Sequence, residues 1–380
     1  MKDFYPTGKA DLMTAFMIRA QTLTARLGSW AMINLPSWMS LKSFEDLRHD
    51  LLRDQRIISM VHLGRGVFGS DFGTVAFVVA NAVAPPTSRG VYRRLFEQHV
   101  QVRSVATIES LFLDGAYNRF EVSQSDFTEI PGSPIVYWLS EKIKATFSTG
   151  KPLDETSTPL VGLRTGDNAR FMRQWWEVSD DRSAFNCDSL KAAEATEARW
   201  FPYNKGGAFR RWYGNHEFVV NWEYDGKEIE EGLAERYPYL VPTGKTLVRG
   251  QGRNQYFSPS VSWSDISSGA PSFRRFPTGF IHGNKGNSLF GTSTLLDSLL
   301  GVMNAPCVTV ILEALTPTMT ASVGDVGKTP IPDTLTDLSR STIDSLVAIA
   351  KSDWDESEIS WNFSSNPLIR PGQAQCSEML

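Results

Sequence analysis

Three nearly uninterrupted apolar runs within the first eighty residues constrain the fold more than any other feature of the chain. They are Trp30-Ala31-Met32-Ile33, Ile57-Ile58-Ser59-Met60-Val61-His62-Leu63 and Thr74-Val75-Ala76-Phe77-Val78-Val79-Ala80. Runs of this kind suit strands covered on both faces in an α/β sheet. The last two are joined by a Gly-rich stretch and not by a helix, so they are expected as an antiparallel pair at a sheet edge. Helical patterns fill the intervals. Asp11 stands where it would cap a helix whose apolar positions Leu12, Phe16, Ala20, Leu23 and Leu27 recur every three or four residues, with Gly28 as its stop. A second helix is expected from about Ser43 to Arg53, with Phe44, Leu47, Leu51 and Leu52 as its apolar stripe. Another strand over 89–95 and a helix around Tyr137–Phe147 follow.

The Pro/Thr/Ser stretch from Pro152 to Pro159 marks the expected domain boundary. Beyond it the texture changes to short strands, glycines and turns, as in an irregular α+β module. Helical patterns return near Leu295–Met303 and Ser339–Lys351. The reading is therefore α/β: one domain over 1–150, a second over 151–366, and a loose polar tail over 367–380.

Composition narrows the class. With 380 residues, 41% hydrophobic, 21% charged and a formal net charge of -4, the chain is long enough for a substantial core and is neither disordered nor supercharged. Three scattered cysteines, Cys187, Cys307 and Cys376, exclude a disulfide scaffold or a structural zinc cluster. No apolar stretch reaches the roughly 18 residues of a membrane span, and the first residues carry no apolar secretory core, so a cytoplasmic location is expected. The net charge hides an uneven distribution: residues 199–290 carry +4 and residues 291–380 carry -7. The basic residues of the first of these segments, among them Lys205, Arg210, Arg211, Lys245, Arg249 and Lys285, lie among aromatics and glycines. That arrangement suits contact with phosphates, although it also occurs on an ordinary solvated face.

Several apparent motifs fail on context. Gly64-Arg65-Gly66-Val67-Phe68-Gly69 matches G-x-G-x-x-G, but it leads into a strand, and no Asp or Glu lies between Asp71 and Glu97 to hold a ribose. Gly244-Lys245-Thr246 and Gly327-Lys328-Thr329 lack the earlier glycines of a phosphate loop. The histidines His49, His62, His99, His216 and His282 have no metal-ligand spacing, and His62 reads as a core histidine at the end of a strand.

Longer stretches carry a resemblance. Tyr5-Pro6-Thr7-Gly8-Lys9-Ala10-Asp11-Leu12-Met13, Trp30-Ala31-Met32-Ile33-Asn34-Leu35-Pro36-Ser37-Trp38-Met39 and Leu63-Gly64-Arg65-Gly66-Val67-Phe68-Gly69-Ser70-Asp71-Phe72-Gly73-Thr74 are similar to the later motifs of adenine-specific DNA methyltransferases of the PglX family, from BREX phage-defence systems. Val161-Gly162-Leu163-Arg164-Thr165-Gly166-Asp167-Asn168 resembles the start of that family's target-recognition region. Lys205-Gly206-Gly207-Ala208-Phe209-Arg210-Arg211-Trp212-Tyr213 and Gly279-Phe280-Ile281-His282-Gly283-Asn284-Lys285-Gly286 resemble further landmarks.

The resemblance implies a partial Rossmann-like methyltransferase sheet followed by a DNA-recognition domain. It implies transfer of a methyl group from S-adenosylmethionine to N6 of an extruded adenine, within restriction-modification or phage defence. Phe68 matches the ring that stacks on the flipped base in related enzymes; the alternative is a ring that plugs the end of the sheet. The family's glycine-containing cofactor loop and its Asn-Pro-Pro-Tyr motif are absent: the only Asn-Pro, Asn366-Pro367, is followed by Leu368. The chain is therefore expected to be a C-terminal portion, inactive alone and binding no cofactor by itself. Its expected partners are double-stranded DNA and an N-terminal methyltransferase half or other BREX proteins. Within the recognition region, Arg164, Asn168, Lys205, Arg210, Arg211 and Lys285 are the candidate DNA contacts, each donor-rich in a glycine-rich or aromatic setting. Asn168 reads equally as a turn residue. A non-catalytic DNA-binding module, or a truncated gene product, is the alternative function.

Overall fold

The computed structural model describes residues 1, 3–69, 72–97, 101–243, 252–267, 270–316, 320–335, 340–367 and 369. Lys245, Arg249, His99, Ser70, Asp71, Ser339, Cys376 and nearly all of the tail expected over 367–380 lie outside the described residues. The chain divides into two compact units, one comprising Met1–Lys151, Val310–Thr318 and Lys328–Pro330, the other Pro152–Thr309, Met319–Gly327 and Ile331–Leu380.

The first unit is built on five strands: β1 (Ser29–Asn34), β2 (Arg56–Arg65), β3 (Gly73–Ala80), β4 (Gly90–Arg94) and β5 (Arg119–Val122). Their order in space is β1-β3-β2-β4-β5. β3 runs antiparallel to both neighbours, β2 and β4 are parallel, and β5 returns antiparallel to β4. The β2–β3 pair is antiparallel as expected but lies inside the sheet, not at its edge. The reason is β1, which adds to the far side of β3, with Ser29 opposite Ala80 and Asn34 opposite Val75.

Two helices flank β1. α1 (Leu12–Leu23) starts where Asp11 accepts from the Met13 amide at 2.8 Å. Its expected stripe faces the wrong way: Leu12, Phe16, Leu23 and Leu27 are 58–76% exposed, while Thr14, Ala15 and Met17 are buried. The helix also ends at Thr24, four residues before Gly28, and Leu27 takes a left-handed φ of 65°. α2 (Glu45–Asp54) buries Leu47, Leu51 and Leu52 as the pattern requires, and Phe44 just before it is buried too. Two shorter elements, α3 (Val105–Leu113) and α4 (Glu141–Thr149), follow, each opened by a serine whose hydroxyl accepts from the amide three residues on.

Aromatic rings fill the core between sheet and helices. Trp38 and Trp30 lie 5.1 and 5.6 Å from Phe77, and Tyr92 stacks on Tyr137 at 5.1 Å. Polar side chains bind the irregular segments into place. Gln124 donates to the carbonyls of Leu52 and Gln55 and accepts from the Ile57 amide, closing the α2–β2 turn. Arg48, 1% exposed, donates to the carbonyls of Trp38, Leu41, Gly132 and Ser133.

The second unit holds two four-stranded sheets. With β6 (Thr158–Leu160), β7 (Met172–Gln174), β8 (Trp200–Asn204), β9 (Phe218–Asn221), β10 (Ser260–Ser264), β11 (Phe273–Phe276), β12 (Ile281–His282) and β13 (Gly286–Phe290), the orders are β12-β8-β9-β7 and β11-β10-β13-β6. Asn204 at the end of β8 ties the two together, donating to Ser262 Oγ at 2.7 Å and to the Gly286 carbonyl at 3.1 Å. The segment α5 (Glu223–Arg236) packs Ile229 and Leu233 against Phe171, Phe201 and Trp222. Helices appear at both late positions expected: α6 (Ser293–Met303) and, after α7 (Pro306–Leu315), α8 (Arg340–Asp355). No single helix among the described residues is long and apolar enough to cross a membrane.

Candidate nucleic-acid interface

The turn joining β2 to β3 takes left-handed backbone at Gly66 and Gly69, φ +105° and +66°. At Gly66 a Cβ would lie 2.2 Å from the Arg103 carbonyl oxygen, so only glycine fits. Between these glycines stands Phe68, 67% exposed, whereas Phe77 on β3 is buried. Among the described residues the ring is therefore not packed into the sheet. Phe72, on the same turn, is 68% exposed and borders a cleft with Leu35, Pro36, Met39, Ile135 and Trp138. His62, 5% exposed, lies at the same cleft, its ring edge-on to Phe96 at 4.8 Å.

The glycine turn does not fit S-adenosylmethionine. It opens no helix, it is filled by the Arg103 backbone where a nucleotide would have to approach, and among the described residues the cleft beside it has no acidic lining residue for a ribose. The cleft is instead mostly apolar.

In the second unit the six candidate DNA contacts fall into different environments. Lys285 pairs with Asp265 at 2.7 Å, and Arg210 with Asp353 of α8 at 3.1 Å while lying over the Trp354 ring at 4.9 Å. Lys205 is half-buried, and burial, with the Lys285 charge beside it, pushes its pKa below the usual lysine value. Arg211 lies over Phe209 at 5.6 Å. Loops 204–207 and 283–286 are brought together, since Gly283 donates to the Asn204 carbonyl. Arg164 and Asn168 belong to a separate turn. There Asn168 accepts from the Thr165 hydroxyl at 2.7 Å, and the Asp167 carboxylate accepts from the Arg170 amide at 3.1 Å. Asn168 therefore has the turn role that its residue type allows.

That turn gathers cations the sequence reading missed. Arg170 lies over Phe171 at 4.8 Å, Arg173 over Trp200 at 5.8 Å, and Arg236, from the last turn of α5, donates to the Gly166 carbonyl. The spacing of Arg164, Arg170 and Arg173 was available as a signal. Arg236 was not, because only the packing of Leu233 against Gly166 brings it there.

No family model matches the chain. It is 35% identical over 375 residues to the adenine-specific methyltransferase PglX of Lacticaseibacillus casei (strain Zhang), covering 96% of this chain and 30% of that protein. It is 32% identical over 380 residues to the adenine-specific methyltransferase BrxX of Escherichia coli O9:H4 (strain HS), covering 97% of this chain and 29% of that protein. A solved structure of the Type IIL restriction-modification enzyme MmeI in complex with DNA is similar at 9% identity and a TM-score of 0.49, over 94% of this chain and 46% of that one. The relationship to the PglX methyltransferases read from the motifs thus extends along nearly the whole chain, which spans about 30% of the length of these curated relatives.

Proposed function

We propose that this chain serves as a portion of an adenine-specific DNA methyltransferase of BREX type. In this reading residues 1–150 supply the base-facing hairpin, and residues 151–366 engage double-stranded DNA. The relatives supply the reaction class. The observation that carries the assignment within this chain is Phe68: an exposed ring, held by two left-handed glycines in the turn at the end of a buried central hairpin, a turn whose Phe72 borders an apolar cleft. An enzyme that modifies a base must take it out of the stack, and an exposed aromatic face offers the extruded adenine a surface that replaces its lost neighbours.

The glycine turn and cleft among the described residues do not fit S-adenosylmethionine, and in this reading the groups that hold the methyl donor and orient N6 come from the rest of the methyltransferase. The chain's own work is to bind, position and stack. The test is incubation of the purified chain with duplex DNA and labelled S-adenosylmethionine. The expected result is DNA retained by the protein with no label in adenine. Label in adenine from this chain alone would overturn the division of labour, and a folded chain that retains no DNA would overturn the recognition role.

A further inference from the structure

The cations of the second unit divide by whether a carboxylate already neutralises them. Arg210, Arg275 and Lys285 are compensated: Asp353 holds the first, Asp297 and Asp344 the second, Asp265 the third. Arg164, Arg170, Arg173 and Arg236 form no ion pair among the described residues. Three of these four are exposed and Arg173 is half-buried. They are also close together. Gly166, between Arg164 and Arg170 in the turn, takes a left-handed φ of +72°, and Arg236 donates to its carbonyl. The neighbouring Gly232 on α5 lies beside both the Phe171 ring and an Arg170 guanidinium nitrogen.

The side chains are partly ordered in advance. Arg170 and Arg173 lie over aromatic rings, and Arg173 also donates to the carbonyls of Ala169 and Met172 at 2.6 and 2.7 Å. A planar guanidinium fixed in this way loses less entropy when it meets an anion. Asp167, the acidic residue within the turn, has its carboxylate engaged by a backbone amide and offers these arginines no ion pair.

The structure assigns this four-arginine surface, made by the 164–173 turn and the end of α5, as the main contact of the chain with the phosphate backbone of duplex DNA. The ion-paired Arg210 and Lys285 are support for the fold. The assignment rests on the DNA-recognition reading above and specifies where on the second unit the duplex lies. Neutralising phosphates releases condensed counterions, so each arginine that meets a phosphate steepens the fall of affinity with salt by about 0.9 in log K per log salt.

The experiment measures that slope for the whole chain with a fluorescent duplex. The R164Q/R170Q variant, which removes the two arginines of this surface that donate no side-chain hydrogen bond among the described residues, is expected to flatten the slope by about 2 with an unchanged circular dichroism spectrum. Adding R173Q and R236Q is expected to flatten it further, while R210Q/K285Q leaves it as in the parent. A parent that binds DNA and an R164Q/R170Q variant with the parental slope would overturn this placement and leave the recognition reading standing. A folded parent that binds no DNA at any salt would overturn the reading itself, and this placement with it.

Discussion

Arg48 and Phe68 show how differently single side chains serve this chain. Arg48 is a charge in the core of the first unit, and burial pulls its pKa down to about 10 despite the Glu45 charge nearby. It stays because it donates to the backbone carbonyls of Trp38, Leu41, Gly132 and Ser133, of which that of Leu41 also accepts from the Phe44 amide. Arg48→Met should cost at least about 3 kcal/mol of stability in urea melts, since the Trp38, Gly132 and Ser133 carbonyls would lose this donor. A cost below 1 kcal/mol would contradict the role. Phe68→Ala, by contrast, should leave the urea midpoint within about 0.5 kcal/mol of the parent, because the ring is largely in water. Phe77→Ala should cost about 3–5 kcal/mol. A matched loss for the two would mean that Phe68 packs in the fold. Two buried histidines give the molecule an acid weakness. Burial, with the charges of Arg274 and Lys351, holds His216 down to about 3, and burial holds His282 down to about 4. Both are neutral when folded, whereas in the unfolded chain they charge below about 6.5. Their contribution is complete above that pH and is lost as pH falls from 6.5 toward 4. At pH 5 the loss should reach about 2 kcal/mol for each, and His216→Phe should reduce the pH dependence of the urea midpoint.

At the scale of elements, the apolar runs were legible because they need no tertiary information. β1, β2 and β3 fall where continuous hydrophobicity places them, and α2 buries the stripe its spacing defines. The order of the strands was not legible. A Gly-rich connection dictates that β2 and β3 pair, but whether a third strand adds beyond β3 depends on β1, some forty residues earlier. α1 failed for a related reason. Leu12, Phe16 and Leu23 repeat as a buried face would, yet Met13 and Met17, one position round the helix, are the side chains turned to the core. Two competing apolar faces cannot be ranked by periodicity alone. The exposed face has a measurable consequence: Phe16→Gln with Leu23→Gln should leave the melting temperature unchanged within 2 °C and reduce self-association in light scattering, since exposed apolar patches drive association. A melting temperature lowered by 8 °C or more would mean that this face is packed within the fold. The candidate site was legible in part. The turn containing Arg164 and Asn168 could be read from sequence, but ion pairs such as Arg210–Asp353, between residues 143 apart, could not.

For the molecule as a whole, a modest net charge of -4 is compatible with a nucleic-acid-binding surface because acidic and basic residues are sorted in space. Carboxylates of the acidic C-terminal segment neutralise part of the basic one, through Asp353 on Arg210 and Asp344 on Arg275, and leave the arginines around Gly166 uncompensated. The curated relatives that share this sequence are more than three times its length. On the proposed function, the chain engages DNA on its own and independently of S-adenosylmethionine. Fluorescence anisotropy of the purified chain with a labelled duplex, at 50 and 200 mM salt and with or without S-adenosylmethionine, tests it most directly. The expected result is binding that weakens by orders of magnitude between the two salts and is unchanged by the cofactor. A folded chain that binds no duplex at either salt, or that binds only when S-adenosylmethionine is added, would contradict it.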